Sequence, residues 1–215
     1  MEDYYVILKT PMRVSSQVFF YLTLILGVPG NAFVVYVAGL KMKRTVNTVG
    51  FLNLAIADLL SCLLTLYYVT ESTFDNPWPY GSLMCKILPF IMLITMFASV
   101  FTLNLISLDR FVQVITSVWA QNYRSLFIAR LSCATAWILA SILSLFFMML
   151  RETYTEENKT YCLDFQPDDD SYELYGRFSI FRFVFGFLVP LICGFTAKAT
   201  EELDFSPYII IKSNM

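Results

Sequence analysis

One stretch of the chain, Leu83 to Val114, is an almost uninterrupted apolar run that reads as a single long helix. Cys85 stands near its beginning, and the acid-base pair Asp109 and Arg110 stands near its end. At about 1.5 Å of rise per residue, the residues between Cys85 and Arg110 cover roughly 37 Å, against roughly 30 Å for the hydrocarbon core of a bilayer. The stretch therefore predicts a membrane-spanning helix with the thiol at one membrane face and the charged pair at the other.

The composition of the whole chain indicates the same class. Of its 215 residues, 57% are hydrophobic and 15% are charged, and the mean hydropathy is +0.61. Soluble domains contain about 45–50% apolar and about 25% charged residues. The formal net charge of -2 gives no reason to expect nucleic acid as a partner, and the absence of histidine excludes histidine-based catalytic triads and metal sites. We therefore expect a membrane protein with no organic cofactor and no histidine-based metal site.

Five apolar runs are long enough to cross a membrane. They are Val18 to Leu40, Val49 to Val69, Leu83 to Val114, Leu126 to Leu150 and Phe178 to Phe195. The basic cluster Lys41 to Arg44 directly follows the first run, which predicts an extracellular N-terminus, and we expect no cleavable signal peptide. The predicted fold is an all-α, polytopic transmembrane helix bundle. Residues 1–17 would be an extracellular segment, residues 18–195 one five-span domain and residues 196–215 a cytoplasmic tail.

Two polar side chains fall at membrane depth. Asn31 follows Pro29 and Gly30 in the first run, and its amide either bonds within its own helix at a kink or joins two helices. Asp58 lies in the second run, where an ionised carboxylate costs at least about 2.5 kcal/mol. Asp58 is therefore a candidate for a functional site inside the bundle. The alternative is a paired or protonated acid that only holds helices together.

The loop after the fourth run has the features of an extracellular surface. Residues 151–176 contain eight acidic and two basic residues, and Asn158 begins an N-glycosylation acceptor sequence. Cys85 and Cys162 lie at a span edge and in this loop, so they can pair if both face the oxidising side. The other three cysteines fall inside apolar runs, where buried and inert thiols are expected: Cys62, Cys133 and Cys193.

Several motifs, in order along the chain, resemble the rhodopsin-like (class A) G-protein-coupled receptors. They are Gly30-Asn31, Asn53 to Asp58, Cys85, Asp109-Arg110-Phe111, Trp137 and Pro190, one or two to a run. Finer matches at Trp78 to Gly81 and Met96 to Phe101 are similar to the chemoattractant group, and most of all to the complement anaphylatoxin receptors for components 3a and 5a. The resemblance covers Val18 to Leu191 and implies the first five spans of a seven-transmembrane receptor fold.

The resemblance implies roles for residues at the outer end and in the middle of the bundle. Cys85 and Cys162 would form the disulfide that ties the second outer loop to the third span. Asp58 and Ser99 match two members of the family's interior sodium site. A sodium ion beside Asp58 is thus the one bound ion that the resemblance suggests.

Other matches concern packing, coupling and ligand binding. Asn31 and Trp137 match polar and aromatic positions used in helix packing. Asp109 and Arg110 match the inner lock that holds the inactive state and meets the G protein. Arg182 matches a fifth-span arginine that pairs with the C-terminal carboxylate of a peptide ligand, a pairing that suits a guanidinium. The alternative is that Arg182 extends to the lipid headgroups.

The resemblance also implies partners. The ligand would be a cationic peptide of the anaphylatoxin type, the inner partner a heterotrimeric G protein of the inhibitory type, and membrane lipid would surround the bundle. Acidic residues in the outer loop and at Glu2 and Asp3 suit a cationic ligand. Tyr4 and Tyr5 beside them are candidates for sulfation, which mass spectrometry of the surface protein tests. The implied function is chemotaxis and inflammatory signalling from the plasma membrane.

The resemblance is expected to end beyond about Gly194, and the residues after it, up to Met215, predict no sixth or seventh span. An alternative interpretation is therefore a truncated, non-signalling product: a decoy, a dominant-negative assembly partner or a gene remnant, retained in the endoplasmic reticulum. A formyl-peptide-type receptor is a further alternative, disfavoured because Leu93 replaces the acid expected there. The sequence has no phosphate loop, metal-spaced ligand set or nucleophile-base pair, and no repeated halves, so we predict neither an enzyme nor a transporter.

Overall fold

The computed structural model describes residues 14–74, 78, 80–115, 124–150, 152–156, 159–163, 176–177, 179–189, 191–192 and 194–196. Within them, four helices are long and apolar enough to cross a membrane: α1 (Val14–Lys41), α2 (Val46–Phe74), α3 (Gly81–Ile115) and α4 (Leu126–Leu150). Two strands follow, β1 (Glu152–Glu156) and β2 (Lys159–Leu163), and then a shorter apolar helix, α5 (Ser179–Leu188), inside the fifth predicted span. The predicted helical membrane bundle is confirmed, and the domain bounds 1–17, 18–195 and 196–215 stay a prediction.

Large apolar side chains cover the outside of the bundle. Phe19 and Leu26 of α1 and Phe127 and Ile138 of α4 are all more than half exposed. The buried positions are mostly small or carry hydroxyl groups, among them Ala55, Ala57, Thr65, Thr95, Ala98, Ala140 and Ser144. Small residues let helix backbones approach closely in a membrane, where lipid already solvates large apolar side chains. The exposed apolar side chains thus suit an apolar surrounding such as lipid.

Two of the long helices begin at hydroxyl-bearing caps. Thr45 Oγ1 accepts a hydrogen bond from the Thr48 N–H at 3.2 Å, at the start of α2. Ser125 Oγ accepts one from the Ile128 N–H at 3.3 Å, at the start of α4. Each cap satisfies a backbone donor that has no partner within the helix. Both helix starts are therefore defined locally by the sequence.

The first helix, α1, is continuous but not uniform. Two wide, π-type turns, Thr23–Gly27 and Val37–Lys41, flank an α-helical segment that contains Pro29. Proline has no amide hydrogen to donate to the carbonyl four residues earlier, so the regular ladder is interrupted at that point. A π-type turn beside such an interruption lets the helix continue. The kink expected near Pro29 thus takes the form of wider helical turns on either side of it.

The third helix, α3, occupies the centre of the bundle. It packs against α2, α4, β1 and the π-type turn of α5. Ala57 of α2, Phe97 and Ala98 of α3 and Ala140 of α4 form the core cluster, and Trp137 packs against it. We call the end of the bundle near Cys85 the outer end and the end near Asp109 the inner end. Because α3 contacts α2, α4, β1 and α5 and carries both Cys85 and Asp109, this helix connects the two ends.

The helices α1 and α2 meet at Gly27. A Cβ atom there would lie 2.5 Å from the sulfur of Cys62, closer than real contacts allow. One turn along, Asn31 Nδ2 donates to the Gly27 carbonyl at 2.9 Å, and the same amide faces the Cys62 thiol of α2. Asn31 thus bonds within its own helix, one of the two alternatives, while it also lines the contact with α2. Glycine is required here by the closeness of the two helices.

Replacing Gly27 by alanine is expected to destabilise the chain by about 1–3 kcal/mol, because the added methyl group overlaps the buried Cys62 sulfur. Thermal unfolding of the detergent-purified chain measures this. Gly30→Ala is the matched control, because it gives the same gain in helix propensity at a site with nothing within 4 Å of the new Cβ. Adding Cys62→Ala to Gly27→Ala should restore the lost stability. An unfolding temperature of Gly27→Ala at or above that of Gly30→Ala would contradict the close contact.

A β-hairpin at the outer end is the one described feature that the all-α prediction did not include. The strands β1 and β2 are antiparallel, with Glu152 opposite Leu163 and Glu156 opposite Lys159. Threonine and tyrosine occupy central positions of both strands, and both residue types favour extended structure. The hairpin lies in a loop between helices, so the helical class of the fold is unchanged.

Candidate functional sites along the third helix

A disulfide fixes the outer end. It joins Cys85 of α3 to Cys162 of β2 across 77 positions of sequence, with the two Cα atoms 5.7 Å apart. Cys85 is fully buried. Thr153 of β1 lies opposite Cys162, and β1 also contacts α3. The disulfide is the pairing that the resemblance implied, and it holds the hairpin against the outer end of the bundle.

A second tether holds the same hairpin, and the sequence alone did not predict it. The Trp78 N–H donates to the Thr160 carbonyl of β2, and Trp78 Nε1 donates to the Gly81 carbonyl at 2.7 Å. The Trp78 ring stands edge-on to Tyr67 and Tyr80, with centroids 5.1 and 5.4 Å away. Gly81 has φ +73°, which glycine adopts without strain. The Trp78 to Gly81 motif therefore links α2, α3 and the hairpin.

A polar ladder joins α2 and α3 in the middle of the bundle. Ser99 Oγ donates to Asp58 Oδ1, and one turn nearer the outer end Ser61 Oγ donates to Thr95 Oγ1 at 2.7 Å. Thr95 Oγ1 donates in turn to the Met92 carbonyl at 2.9 Å. Asp58 and Ser99, which the sequence placed on different spans, are thus in direct contact. A carboxylate beside hydroxyl oxygens is the type of ligand set that hard cations take in proteins.

At the inner end, Arg124 holds the Asp109 carboxylate. Its Nε and Nη2 atoms donate to Oδ1 and Oδ2 of Asp109 at 2.9 and 2.8 Å, which makes a bidentate ion pair, and Nη2 also bonds to Asn47 Oδ1 of α2. Gln113 Nε2 donates to the same carboxylate at 2.7 Å. The hydrogen bonds to Asp109 raise the pKa of the Arg124 guanidinium above its usual value, so this contact favours the charged form. Together these contacts clasp α2, α3 and the start of α4.

The described ionic partner of Asp109 is thus Arg124, and the inner lock implied for Asp109 and Arg110 stays a prediction. Neighbouring residues in an α-helix point about 100° apart, so Asp109 and Arg110 do not face each other. Arg110 is exposed and forms no ion pair among the residues that the structure describes. Arg124 was not singled out from the sequence. Arg124 directly precedes Ser125, which caps the start of α4. This position was the sequence feature that could have indicated an Arg124 contact with Asp109, because the start of α4 lies beside the inner end of α3.

Comparison with known proteins shows the family. The family of 7 transmembrane receptors (rhodopsin family) matches residues 30–199 of the chain. The chain belongs to the rhodopsin family. This is a family of receptors rather than enzymes. The long apolar helices of the structure agree with the membership of the chain in this family. The protein is a multi-pass membrane protein of the receptor class.

The similar proteins include receptors named for the anaphylatoxins C3a and C5a. The chain is 63% identical to the C3a anaphylatoxin chemotactic receptor of Danio rerio over 86% of the chain and 50% of that receptor. It is 43% identical to the human C3a anaphylatoxin chemotactic receptor over 71% of the chain and 32% of the receptor. It is 39% identical to the C5a anaphylatoxin chemotactic receptor 1 of Gorilla gorilla gorilla over 83% and 51%. This rhodopsin-family chain thus spans about a third to a half of the relatives that it matches.

The remaining predicted residues of this rhodopsin-family receptor are placed less completely. Arg182 lies in α5 with an exposed side chain, which leaves both alternatives for it, a ligand contact and a headgroup contact, open to test. Asn158, Tyr4 and Tyr5 lie outside the described residues, so glycosylation and sulfation stay predictions.

Proposed function

We propose that these spans form part of a chemoattractant receptor that binds an anaphylatoxin-type peptide at its outer end and couples to an inhibitory-type G protein at its inner end. The observation that carries the proposal is the 63% identity to a C3a anaphylatoxin chemotactic receptor over 86% of the chain. The identity to a C5a receptor is lower, at 39% over a similar length. The proposed ligand is therefore the C3a type, and the response is chemotaxis and inflammatory signalling.

Charge at the outer end supports a cationic peptide ligand. The segment 151–176 carries eight acidic residues against two basic ones. Such a potential accelerates the encounter with a positively charged partner more than it adds to affinity. The disulfide of Cys162 and the Trp78 tether fix part of this segment over the bundle, so the peptide meets a positioned surface. Holding a binding surface in place reduces the ordering cost of binding.

Arg182 is the proposed contact for the C-terminal carboxylate of the peptide. Its side chain is exposed, and it makes no ion pair with another described residue. A guanidinium offers two parallel N–H donors to a carboxylate, which gives both strength and orientation. The acidic segment and Arg182 would therefore recognise opposite features of one ligand, its basic surface and its anionic end.

The inner end is the proposed coupling site. Asp109 is engaged by Arg124, while the neighbouring Arg110 is exposed. A cation held at the end of a long buried helix can contact an acidic or carbonyl group of a G protein without first breaking an ion pair to Asp109. We assign Arg110 to that contact and Arg124 to holding the inactive arrangement of Asp109.

A chimeric receptor tests the proposal. In it, residues 18–195 of this chain replace the matching segment of the Danio rerio C3a receptor. The chimeric receptor should activate G protein in response to C3a, and inactivating inhibitory-type G proteins should remove the response. A chimeric receptor that reaches the surface but responds only to C5a or to a formyl peptide would overturn the ligand assignment. A C3a response that persists after inhibitory-type G proteins are inactivated would overturn the coupling assignment.

Asp58 is proposed to bind a sodium ion together with Ser99. The fit rests on oxygen ligands already in contact across α2 and α3, with the Ser61 and Thr95 hydroxyls one turn away. When bound, sodium would supply a positive charge beside the Asp58 carboxylate. We expect agonist affinity of the chimeric receptor to depend on sodium concentration, and Asp58→Asn to abolish that dependence. An unchanged sodium dependence in Asp58→Asn would exclude the site.

Localisation at the plasma membrane with an extracellular N-terminus is part of the same proposal. The basic cluster Lys41 to Arg44 after the first helix supports this orientation. An N-terminal epitope tag on the chimeric receptor should be stained on intact cells, and staining only after permeabilisation would contradict it. The 215 residues expressed alone are expected to stay in the endoplasmic reticulum and to give no ligand-evoked response, because the remaining spans of the family complete both sites.

A further inference from the structure

Backbone hydrogen bonds show how the two edges of the β-hairpin are oriented. The Trp78 N–H donates to the Thr160 carbonyl, so this carbonyl points away from β1. In an antiparallel pair, opposite residues alternate between those that exchange both backbone hydrogen bonds and those that exchange neither. Thr160 and its partner Thr155 are thus a pair that exchanges neither, and Thr153 opposite Cys162 is the next such pair. The N–H and C=O groups of Thr153 and Thr155 therefore point away from β2.

The two edges differ in their surroundings. On the β2 edge, Trp78 bonds to the Thr160 carbonyl, and the disulfide of Cys162 holds the strand against α3. On the β1 edge, the four backbone groups of Thr153 and Thr155 have no hydrogen-bond partner within the described part of the chain. Thr155 is exposed. The β1 edge thus offers two donors and two acceptors along about 7 Å of strand.

Such an edge is a template for an extended segment of another chain. A peptide can add to a sheet edge as a further strand, and main-chain hydrogen bonds then supply the affinity. Proteins that avoid this pairing block their edges with proline, lysine or a bulge. The β1 sequence, ETYTE, contains neither proline nor lysine, and its five pairs with β2 follow one another without a bulge. The β1 edge therefore lacks these protective features.

Charge selects the occupant of this edge. β1 begins with Glu152 and ends with Glu156. Residues 1–8 of the chain contain Glu2 and Asp3 but no lysine or arginine, and a second copy of β1 would bring two more acids, so like charge disfavours both. We propose that a segment of a cationic peptide ligand adds to β1 as a third, antiparallel strand. Two of its residues, two positions apart, bond to the outward backbone groups of Thr153 and Thr155.

The choice of occupant rests on the proposed function, in which the ligand is an anaphylatoxin-type peptide. The β1 edge adds the place and the manner in which the peptide backbone is held. This contact is separate from that of Arg182, which would meet the C-terminal carboxylate. Because main-chain groups make the contact, changes to ligand side chains along the added strand should affect affinity less than changes to its backbone.

Thr155→Pro tests the edge, because proline removes the outward N–H and leaves the bonds to β2 in place. In the chimeric receptor it should weaken binding of a C3a-derived peptide at least about fivefold. Thr160→Pro is the matched control, since it is the same substitution in the opposite member of the pair, and it keeps the carbonyl that Trp78 uses. Thr155→Val controls for the hydroxyl group, which lies 3.3 Å from that of Thr160. Both controls should bind the peptide as the parent does.

Backbone methylation of the peptide tests the same contact from the ligand side. Only every second residue of an added antiparallel strand directs its N–H toward β1. Methylating one backbone nitrogen at a time should weaken binding at two positions that are two residues apart and leave the position between them unchanged. At one of the two positions the effect should be smaller in Thr155→Pro, because both changes affect the same pair of residues.

Hydrogen exchange of the purified chimeric receptor, followed by mass spectrometry, locates the strand without reference to affinity. The bound peptide should slow exchange of the Thr153 and Thr155 N–H groups and leave that of Thr160 unchanged. Slow exchange of the first two before peptide is added would show that another segment fills the edge and would overturn the proposal.

The binding results separate this proposal from the ligand assignment. A chimeric receptor that reaches the surface and binds no C3a-derived peptide would overturn both. Peptide binding with equal losses in Thr155→Pro and Thr160→Pro, or without the alternating methylation pattern, would overturn only the strand addition at β1.

Discussion

Replacing Cys85 by alanine is expected to lower the amount of chimeric receptor at the cell surface by more than about tenfold. The disulfide to Cys162 closes a loop of 77 positions, for which the chain-entropy account gives at most about 4.5 kcal/mol of stabilisation. The same bond holds β2, and through it β1, against α3. Surface labelling of an epitope tag gives the amount, and binding of labelled C3a gives the folded fraction.

The controls for this prediction are other cysteines of the chain. Cys162→Ala should lower the surface amount as much as Cys85→Ala does. The double variant should lower it no further, because all three variants lose the same disulfide. Cys133→Ala should stay near the parent level, because Cys133 is buried and free and loses little apolar contact. Normal surface amounts and normal C3a binding in either disulfide variant would show that the hairpin is positioned by the Trp78 tether alone.

Replacing Arg182 by alanine in the chimeric receptor is expected to weaken binding of a C3a-derived peptide by about 30- to 100-fold. Removing one member of a hydrogen-bonded charge pair between partners typically has an effect of this size. Arg182→Lys should recover part of the affinity, because lysine keeps the charge but offers no bidentate fork. Competition binding on intact cells measures each variant.

The peptide supplies the matched control for Arg182. Amidating its C-terminus should weaken binding to the parent chimeric receptor about as much as Arg182→Ala does. The amidated peptide should lose little further affinity on Arg182→Ala, because both changes break one contact. Additive losses would show that Arg182 does not meet the carboxylate, and its extension to the lipid headgroups would then be the better account.

The length and polarity of the runs predicted the helices well, because the bilayer fixes how many apolar residues a span requires. The third run, Leu83 to Val114, differs from α3 (Gly81–Ile115) by only a few residues at its ends. The resemblance assigned Asp58 and Ser99 to one interior site, and the structure has the two side chains in contact, while the sodium ion stays a prediction. Composition alone would not have indicated that Asp58 and Ser99 lie together.

Contacts set by tertiary packing were not predictable from the sequence in the same way. Asp109 is adjacent to Arg110 in the chain, but helix geometry turns the two apart and brings Arg124 to the carboxylate from the next element. The buried Thr102 hydroxyl of α3 has no hydrogen-bond partner among the described residues. The sequence gives no signal of this, because whether a threonine bonds to its own helix depends on its rotamer and its neighbours. The β-hairpin lay in a segment whose charge indicated only an outer loop.

The most direct test of the central claim is the concentration dependence of G-protein activation by C3a and by C5a in cells that express the chimeric receptor. We predict a half-maximal C3a concentration within about tenfold of the parent Danio rerio receptor, a difference of about 1.4 kcal/mol or less, and no response to C5a. A chimeric receptor that reaches the surface yet stays silent to C3a, or responds to C5a at lower concentrations, would contradict the assignment of this chain as part of a C3a-type receptor.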